Sequence, residues 1–319
     1  MLIRPLITGI LSLLPGSQIA HYLLAKKNIS YANARYCYSV WLRHLLTAHE
    51  SGLIPVFPET IAELGPGNSL GTGLAGLISG AHTYYGLDIV RYCRDNRNLK
   101  TFDELVALFR ARTPIPDESE FPQIKPVLKS YAFPRHILSE ERLKKALTPE
   151  RIAQLRADLI SLGREHPSQT RQIHYFAPWN DAGNIKLSAV DMIYTQAVME
   201  HAEPLGEIYG NLYKWLKLGG FMSHQIDFRS HGTAGEWNGH WGYSALLWKL
   251  IKGRKPYLIN REPLSAHIAL QKEAGFKIIA VQKVLSASRL KTGQLSRRFR
   301  HLSEDDLTVS GALIQSVKV

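Results

Sequence analysis

The chain has 319 residues, 45% hydrophobic and 21% charged, which suits one large globular unit and excludes a disordered or low-complexity chain. Its two cysteines, Cys37 and Cys93, form no CxxC pair, which excludes a disulfide scaffold and fits a reducing, cytoplasmic compartment. The formal charge of +12 is spread thinly, with one concentration at Arg289–His301 and no RNA-binding signature, so a solvated basic face or an anionic partner is expected and nucleic acid is not.

The N-terminal apolar run, Leu6 to Leu14, is too short to span a bilayer, and Pro15–Gly16 ends it. Leu2, Ile3, Leu6, Ile10, Leu13 and Leu14 share a helical face that either docks on the body of the protein or lies on a membrane surface. Residues 17–50 read as mostly helical, with Tyr22, Leu23, Tyr38, Trp41, Leu42 and Leu45 at helix spacing, and Pro55 and Pro58 close that segment. An N-terminal helical segment over 1–58 and a main domain over 59–319 are therefore expected.

Thr60–Leu64 is a short apolar run entering Gly65-Pro66-Gly67, the pattern of a buried parallel strand and a tight turn. A small-residue helix from Leu70 to Gly80 follows, then a second strand, Thr83–Asp88, ending in an acid. Strand, glycine turn, helix, strand and terminal acid make one βαβ unit. From about 91 to 170 the alternation stops. A helix over Phe102–Arg112, a proline-rich loop over Pro114–Pro126, and one or two charged helices over Leu138–Leu162 started by Ser139 and Thr148 read as a helical insertion. Strands resume at Arg171–Ala177 and Ala189–Tyr194; a helix over Glu203–Lys217 is closed by Leu218-Gly219-Gly220; Phe221–Phe228 is a fifth strand. Phe276–Leu285 and Leu307–Val317 read as two long strands pairing antiparallel at the sheet edge.

Glycine at positions 65 and 67 lets the backbone approach a ligand closely, ahead of a helix start with free N–H groups. A dinucleotide fingerprint needs a third glycine where Leu70 stands, and Glu63 before the glycines suits a cationic ligand better than a pyrophosphate. Asp88, about 20 residues past the turn, is placed to accept ribose hydroxyls of an adenosine-type cofactor. His201 after the fourth strand, His224 within the fifth and Asp227 at its end are candidate bases for an oxygen nucleophile. Equally, they read as a helix-start residue, a core histidine and a loop cap. His224, Asp227, His231 and His240 are irregularly spaced, and no metal site is expected from them. Trp237, Trp241, Tyr243 and Trp248 read as core or lid packing, or as a stacking surface for an acceptor.

Glu63-Leu-Gly-Pro-Gly-Asn-Ser-Leu70, Val190–His201 and Leu216-Lys-Leu-Gly-Gly-Phe-Met222 together resemble the first motif, the fourth strand and the approach to strand five of class I S-adenosylmethionine-dependent methyltransferases. The resemblance covers about residues 60–90 and 171–319; the long insertion departs from the minimal family pattern. Arg35–His44, His224–His231 and Tyr257–Arg261 are similar to bacterial members associated with surface-glycan clusters.

The resemblance implies a Rossmann-like α/β fold: a mostly parallel seven-stranded sheet with an antiparallel edge strand, N-terminal helices and a helical insertion. It implies S-adenosylmethionine as cofactor, with Glu63, Gly65 and Gly67 around its methionine part and Asp88 on its ribose. Leu87 and Ile89 would shape the adenine side, Asp181 with Trp179 or Ala182 would contact the adenine, and Thr195–Gln196 would face the sulfonium. The expected activity is O-methylation of a saccharide or glycolipid intermediate, by a cytoplasmic protein that either stays soluble or touches the inner membrane face. An NAD-dependent oxidoreductase and a non-catalytic membrane-associated scaffold are the alternatives.

Overall fold

The computed structural model describes residues 3–14, 33–91, 93, 95–162, 171–179, 183, 185–255 and 257–319. Seven strands form one sheet in the order β3-β2-β1-β4-β5-β7-β6. They are β1 Thr60–Leu64, β2 Thr83–Leu87, β3 Ile173–Phe176, β4 Val190–Gln196, β5 Leu216–Asp227, β6 Phe276–Leu285 and β7 Val309–Lys318. The first five run parallel. The last two pair antiparallel with each other as expected, and β7, the strand that runs against the rest, lies inside β6 and against β5.

Helices α1 Ile3–Leu11, α2 Ala34–Glu50, α3 Gly71–Ile78, α4 Asp95–Ala111, α5 Glu140–Ala146, α6 Pro149–Ile160, α7 Leu205–Trp215, α8 Ala245–Lys252, α9 Leu264–Glu273 and α10 Glu304–Thr308 surround the sheet. None of these is long and apolar enough to cross a membrane. One sheet face packs Ile61, Tyr84, Met192 and Tyr194 against Trp41, Leu45 and Leu74 of α2 and α3 and Phe102 and Phe109 of α4. The opposite face packs Ala62, Leu64, Leu87, Ile193, Met222 and Ile226 against Tyr209 and Leu212 of α7 and Leu264 of α9. With both faces covered, β1, β4, β7 and the second half of β5 are buried almost throughout, whereas the edge strand β6 is largely part-exposed.

Between β2 and β3 the helices start where the sequence indicates. The Ser139 and Thr148 side chains accept the Arg142 and Arg151 amides, capping α5 and α6. The first helix of this segment, α4, begins at Asp95, ahead of the expected Phe102.

Two expectations are corrected. Leu218-Gly219-Gly220 does not close α7, which ends at Trp215; Leu216 already pairs with Val190 as the start of β5. The glycines instead absorb a bulge before Phe221 pairs with Met192, Gly219 at φ +76°. At the N-terminus, α1 does dock, on α8, but of the described residues on the apolar face that its spacing suggests, only Leu6 takes part. Gly9 lies against the carbonyls of Leu250 and Ile251, where a Cβ would collide, and Pro5 and Leu6 complete the contact. Ile3, Ile10, Leu13 and Leu14 stay exposed, as do Ile7 and Leu11. The small residue decides which side goes down, because only there can the backbones approach. Leu2, Tyr22 and Leu23 lie outside the described residues.

Candidate functional site

The glycine turn follows β1 directly. Gly65 (φ +68°) and Gly67 (φ +64°) both occupy the left-handed region that favours glycine. The Gly65 amide donates to the Leu87 carbonyl at 2.8 Å, and a Cβ on Gly65 would stand 2.6 Å from a Val198 methyl. The Gly67 amide donates to Asp88 Oδ2 at 3.0 Å, while Asp88 Oδ1 accepts the Ile89 amide at 3.0 Å. Turn and acid are thus one hydrogen-bonded unit at the carboxyl ends of β1 and β2. Burial pushes the Asp88 carboxyl up to about 6, the two amide donors opposing it.

At the head of α3 a residue that sequence reasoning missed supplies the cap. Asn98 Oδ1 accepts the Leu70 amide at 3.0 Å, and the Ser69 hydroxyl accepts the Gly71 amide. Asn98 comes from α4, 28 positions beyond Leu70, so no local pattern announces it.

Glu63 sits beneath the turn. Its Oε2 accepts the Tyr84 hydroxyl at 2.8 Å and the Tyr194 hydroxyl at 3.3 Å, and burial pushes the carboxyl up to about 7. Leu87 is buried in the core cluster that includes α7, and Ile89 is exposed beside Asp88. Asp181 and Ala182 lie outside the described residues, and Trp179 packs edge-on to Trp215 at 6.0 Å.

Beyond β4 and β5 opens a cleft of about 770 Å3. Gln196 and Gln225 form its floor, joined by a 3.2 Å amide–amide hydrogen bond. Gln123, Ile124 and Lys125 wall one side, with Tyr36; Ser286, Ser310 and Trp237 wall the other. The loop between α4 and α5 is held there by α2: Tyr38 donates to the Thr113 carbonyl, Ser39 to the Pro116 carbonyl, and buried Arg43 to the carbonyls of Pro116 and Pro126 while pairing with Glu118. These contacts give the Arg35–His44 stretch a structural role.

The sequence candidates separate. His224 and Thr195 are fully buried on the α7 face of the sheet, 3.0 Å apart, with His224 Nε2 against the Met222 sulfur at 3.3 Å. His224 is therefore a core histidine, lowered to about 3 by burial, and Thr195 does not face a ligand; the pleat sends both side chains away from the cleft. His240 is also buried, among Trp241 and Arg261. Asp227 and His231 do line the cleft, and His201 stacks edge-on to His231 at 5.1 Å. Burial works to raise the Asp227 carboxyl, but His231 Nε2 at 3.5 Å and the Arg229 guanidinium at 2.5 Å outweigh it and hold the group well below the usual range. Burial and His231 lower His201 to about 4, so it is a neutral imidazole. Of the four aromatic residues, Trp241, Tyr243 and Trp248 are buried and only Trp237 reaches the cleft.

The loop carrying His201 is pinned from behind. Asn260 donates its amide N–H to the Glu200 carbonyl at 2.7 Å and its side-chain NH2 to the carbonyls of Met199 and Ala202. Arg261 holds the His240 and Tyr243 carbonyls, its guanidinium over the rings of Trp248 and Phe299. The Tyr257–Arg261 stretch thus supports the site from outside.

No protein-family model and no curated protein matches the chain. Among solved structures it is similar to an S-adenosylmethionine-dependent methyltransferase from Mesorhizobium loti, at 13% identity over 84% of this chain and 94% of that one, TM-score 0.40. It is similar also to an S-adenosylmethionine-dependent methyltransferase from Methanosarcina mazei, at 11% identity over 85% and 97%, TM-score 0.42. A third is the magnesium protoporphyrin IX methyltransferase from Synechocystis with bound S-adenosylhomocysteine, at 10% identity over 89% and 84%, TM-score 0.40. At that distance the likeness assigns no chemistry to this chain.

Proposed function

We propose that the protein is an S-adenosylmethionine-dependent methyltransferase acting on an oxygen of a polyhydroxylated acceptor. The observation that carries the reading is the Gly67–Asp88 hydrogen bond: it fixes a glycine turn and a buried acid at adjacent parallel strand ends, where open α/β sheets bind ligands. Asp88 keeps lone pairs for ribose hydroxyls, and Gly65 and Gly67 leave backbone room for the methionine part, with Glu63 behind them. The end of β4 links the turn to the cleft, with Val198 against Gly65 and Gln196 and Ala197 lining the cleft, so the transferred methyl would point toward Gln225 and Asp227.

When bound, the cofactor supplies a methyl group on a good leaving group, so the chain's own task is alignment and exclusion of water. The acceptor cleft is lined by amides, hydroxyls and two aromatic rings, the mixture that suits a sugar. Asp227, ionised and paired with Arg229, would orient an acceptor hydroxyl by accepting its hydrogen bond. The exposed apolar side of α1, with Arg4 on it and Lys249 on the neighbouring α8, supports contact with an anionic membrane surface.

Calorimetric titration with S-adenosylmethionine, S-adenosylhomocysteine and NAD tests the assignment. Micromolar binding of the two sulfur compounds, lost in Asp88→Ala, is expected; binding of NAD alone refutes it and favours an oxidoreductase.

A further inference from the structure

Beside the cleft three side chains converge from two loops. One ligand atom from each of Glu200, His201 and His231 lies within 4.8 Å of the others. Glu200 is 3% exposed, yet among the described residues neither of its carboxylate oxygens has a hydrogen-bond partner, nor has Nδ1 of His201. A buried carboxylate without a donor is costly, on the order of several kcal/mol if charged, and native proteins leave few such groups.

The surroundings hold these residues in place rather than satisfy them. Asn260 fixes the backbone on both sides of Glu200 and His201 through three hydrogen bonds to carbonyls. His231 stands at φ +47°, a left-handed conformation that costs a non-glycine residue energy and turns its ring over His201. Asp227 Oδ2, 3.5 Å from His231 Nε2, orients that imidazole, as outer carboxylates do for metal-bound histidines.

We propose that Glu200, His201 and His231 form a binding site for a divalent transition-metal cation. Two imidazoles and one carboxylate form a donor set for zinc, manganese or iron, and part-exposed His231 also lines the cleft. The set differs from the four residues whose types alone suggest a cluster, because His224 and His240 are buried elsewhere. An ion here would bind and acidify a hydroxyl of whatever occupies the cleft. The site stands independently of the methyl-transfer reading, since metal affinity is measured without cofactor or acceptor.

The full-length protein, stripped with a chelator, is titrated with Zn2+, Mn2+ and Co2+ by calorimetry, and Co2+ is followed also by its visible absorption. One equivalent per chain is expected for at least one ion, with Co2+ bands of imidazole ligation and a raised melting temperature. Glu200→Gln and His231→Ala are each expected to weaken binding about tenfold or more. His136→Ala, an exposed histidine elsewhere, should leave it unchanged. The His231 side chain is part-exposed, so its variant keeps the fold and decides the matter even where Glu200→Gln does not. Absence of saturable binding for all three ions, or undiminished affinity in His231→Ala, overturns the proposal.

Discussion

Gly67 and Asp88, in the segments that follow β1 and β2, share one hydrogen bond of 3.0 Å, so the acid that would hold a ribose also sets the conformation of the turn that would admit the rest of the cofactor. Losing the carboxylate removes ligand contacts and a turn anchor together. For Asp88→Ala the expected loss of S-adenosylhomocysteine affinity is about 100-fold or more, since each hydrogen bond to a charged group is worth roughly 1.5–3 kcal/mol. Asp88→Asn keeps an acceptor for the Gly67 amide and is expected to melt closer to wild type while binding as poorly. Calorimetry with paired melting curves checks both; an Asp88→Asn variant that binds normally removes Asp88 from the site.

The same carboxyl gives the binding a pH dependence. Burial raises Asp88 to about 6, and ribose hydroxyls donate to its ionised form. Affinity should therefore be flat above pH 6 and fall as pH drops below it, by about tenfold per unit. Calorimetry from pH 5 to 8 reads the break, which should vanish in Asp88→Asn.

Glu63 works in the opposite sense, on stability. Its carboxyl is raised by burial from 4.5 to about 7, so the ionised form is disfavoured in the folded protein. For a raised acid, the stabilising contribution is complete below 4.5, is lost as pH rises toward 7, and stays lost above it. Glu63→Gln leaves an oxygen to accept the Tyr84 and Tyr194 hydroxyls and removes the charge. It is expected to be more stable than wild type at pH 8, by a few kcal/mol at most, on the order of 1.4 kcal/mol for each pH unit between the folded and unfolded titrations. The difference should close toward pH 4.5; urea melts of both proteins at several pH values measure it. Equal stability at pH 8 would show that Glu63 carries no such strain.

How far the sequence can be read follows from how each element is buried. The βαβ unit is legible because β1, its glycines and Asp88 are contiguous and each fills a local requirement. The two faces of β4 and β5 are not, because both are covered, and apolar burial on each side erases the alternation that would have sent His224 and Thr195 inward and Gln196 and Asp227 outward. Asn98, Arg43 and Asn260 make their decisive hydrogen bonds across 28, 73 and 61 positions, respectively. A long-range partner leaves no periodic trace. Apolar spacing misplaces most of the docking side of α1 because Gly9 sets the close approach, with Leu6 alone of the described apolar-face residues beside it.

The two turn glycines should differ in tolerance. Both have positive φ, but an added Cβ meets Val198 at 2.6 Å from Gly65, whereas at Gly67 it meets the Gly65 carbonyl oxygen at 4.0 Å, an ordinary contact. Gly67→Ala is expected to cost about 1–2 kcal/mol from backbone strain alone. Gly65→Ala should cost that plus roughly 1–3 kcal/mol of overpacking. Adding Val198→Ala should recover part of the Gly65→Ala loss and none of the Gly67→Ala loss. A double-mutant cycle by urea denaturation isolates the coupling, and no coupling between positions 65 and 198 would place the turn farther from the β4 loop than the structure does.

Helix α1 offers the last test, because docking and membrane contact use different sides of it. Ile7, Leu11 and Leu14 are at least half exposed, at 50%, 52% and 57%, whereas Gly9 faces α8. Replacing Ile7 and Leu11 by Glu should leave the melting temperature within a few degrees of wild type, since surface changes usually cost under about 0.5 kcal/mol each. Gly9→Leu should undock the helix and expose Ile251 and Trp248 beneath it. If the apolar side lies on an anionic surface, the wild type co-sediments with phosphatidylglycerol vesicles and the double Glu variant does not. Salt should weaken that binding through Arg4 and Lys249 without abolishing it, because the apolar contribution is unscreened. Equal sedimentation of wild type and variant would instead assign vesicle binding to the diffuse +12 charge of the chain.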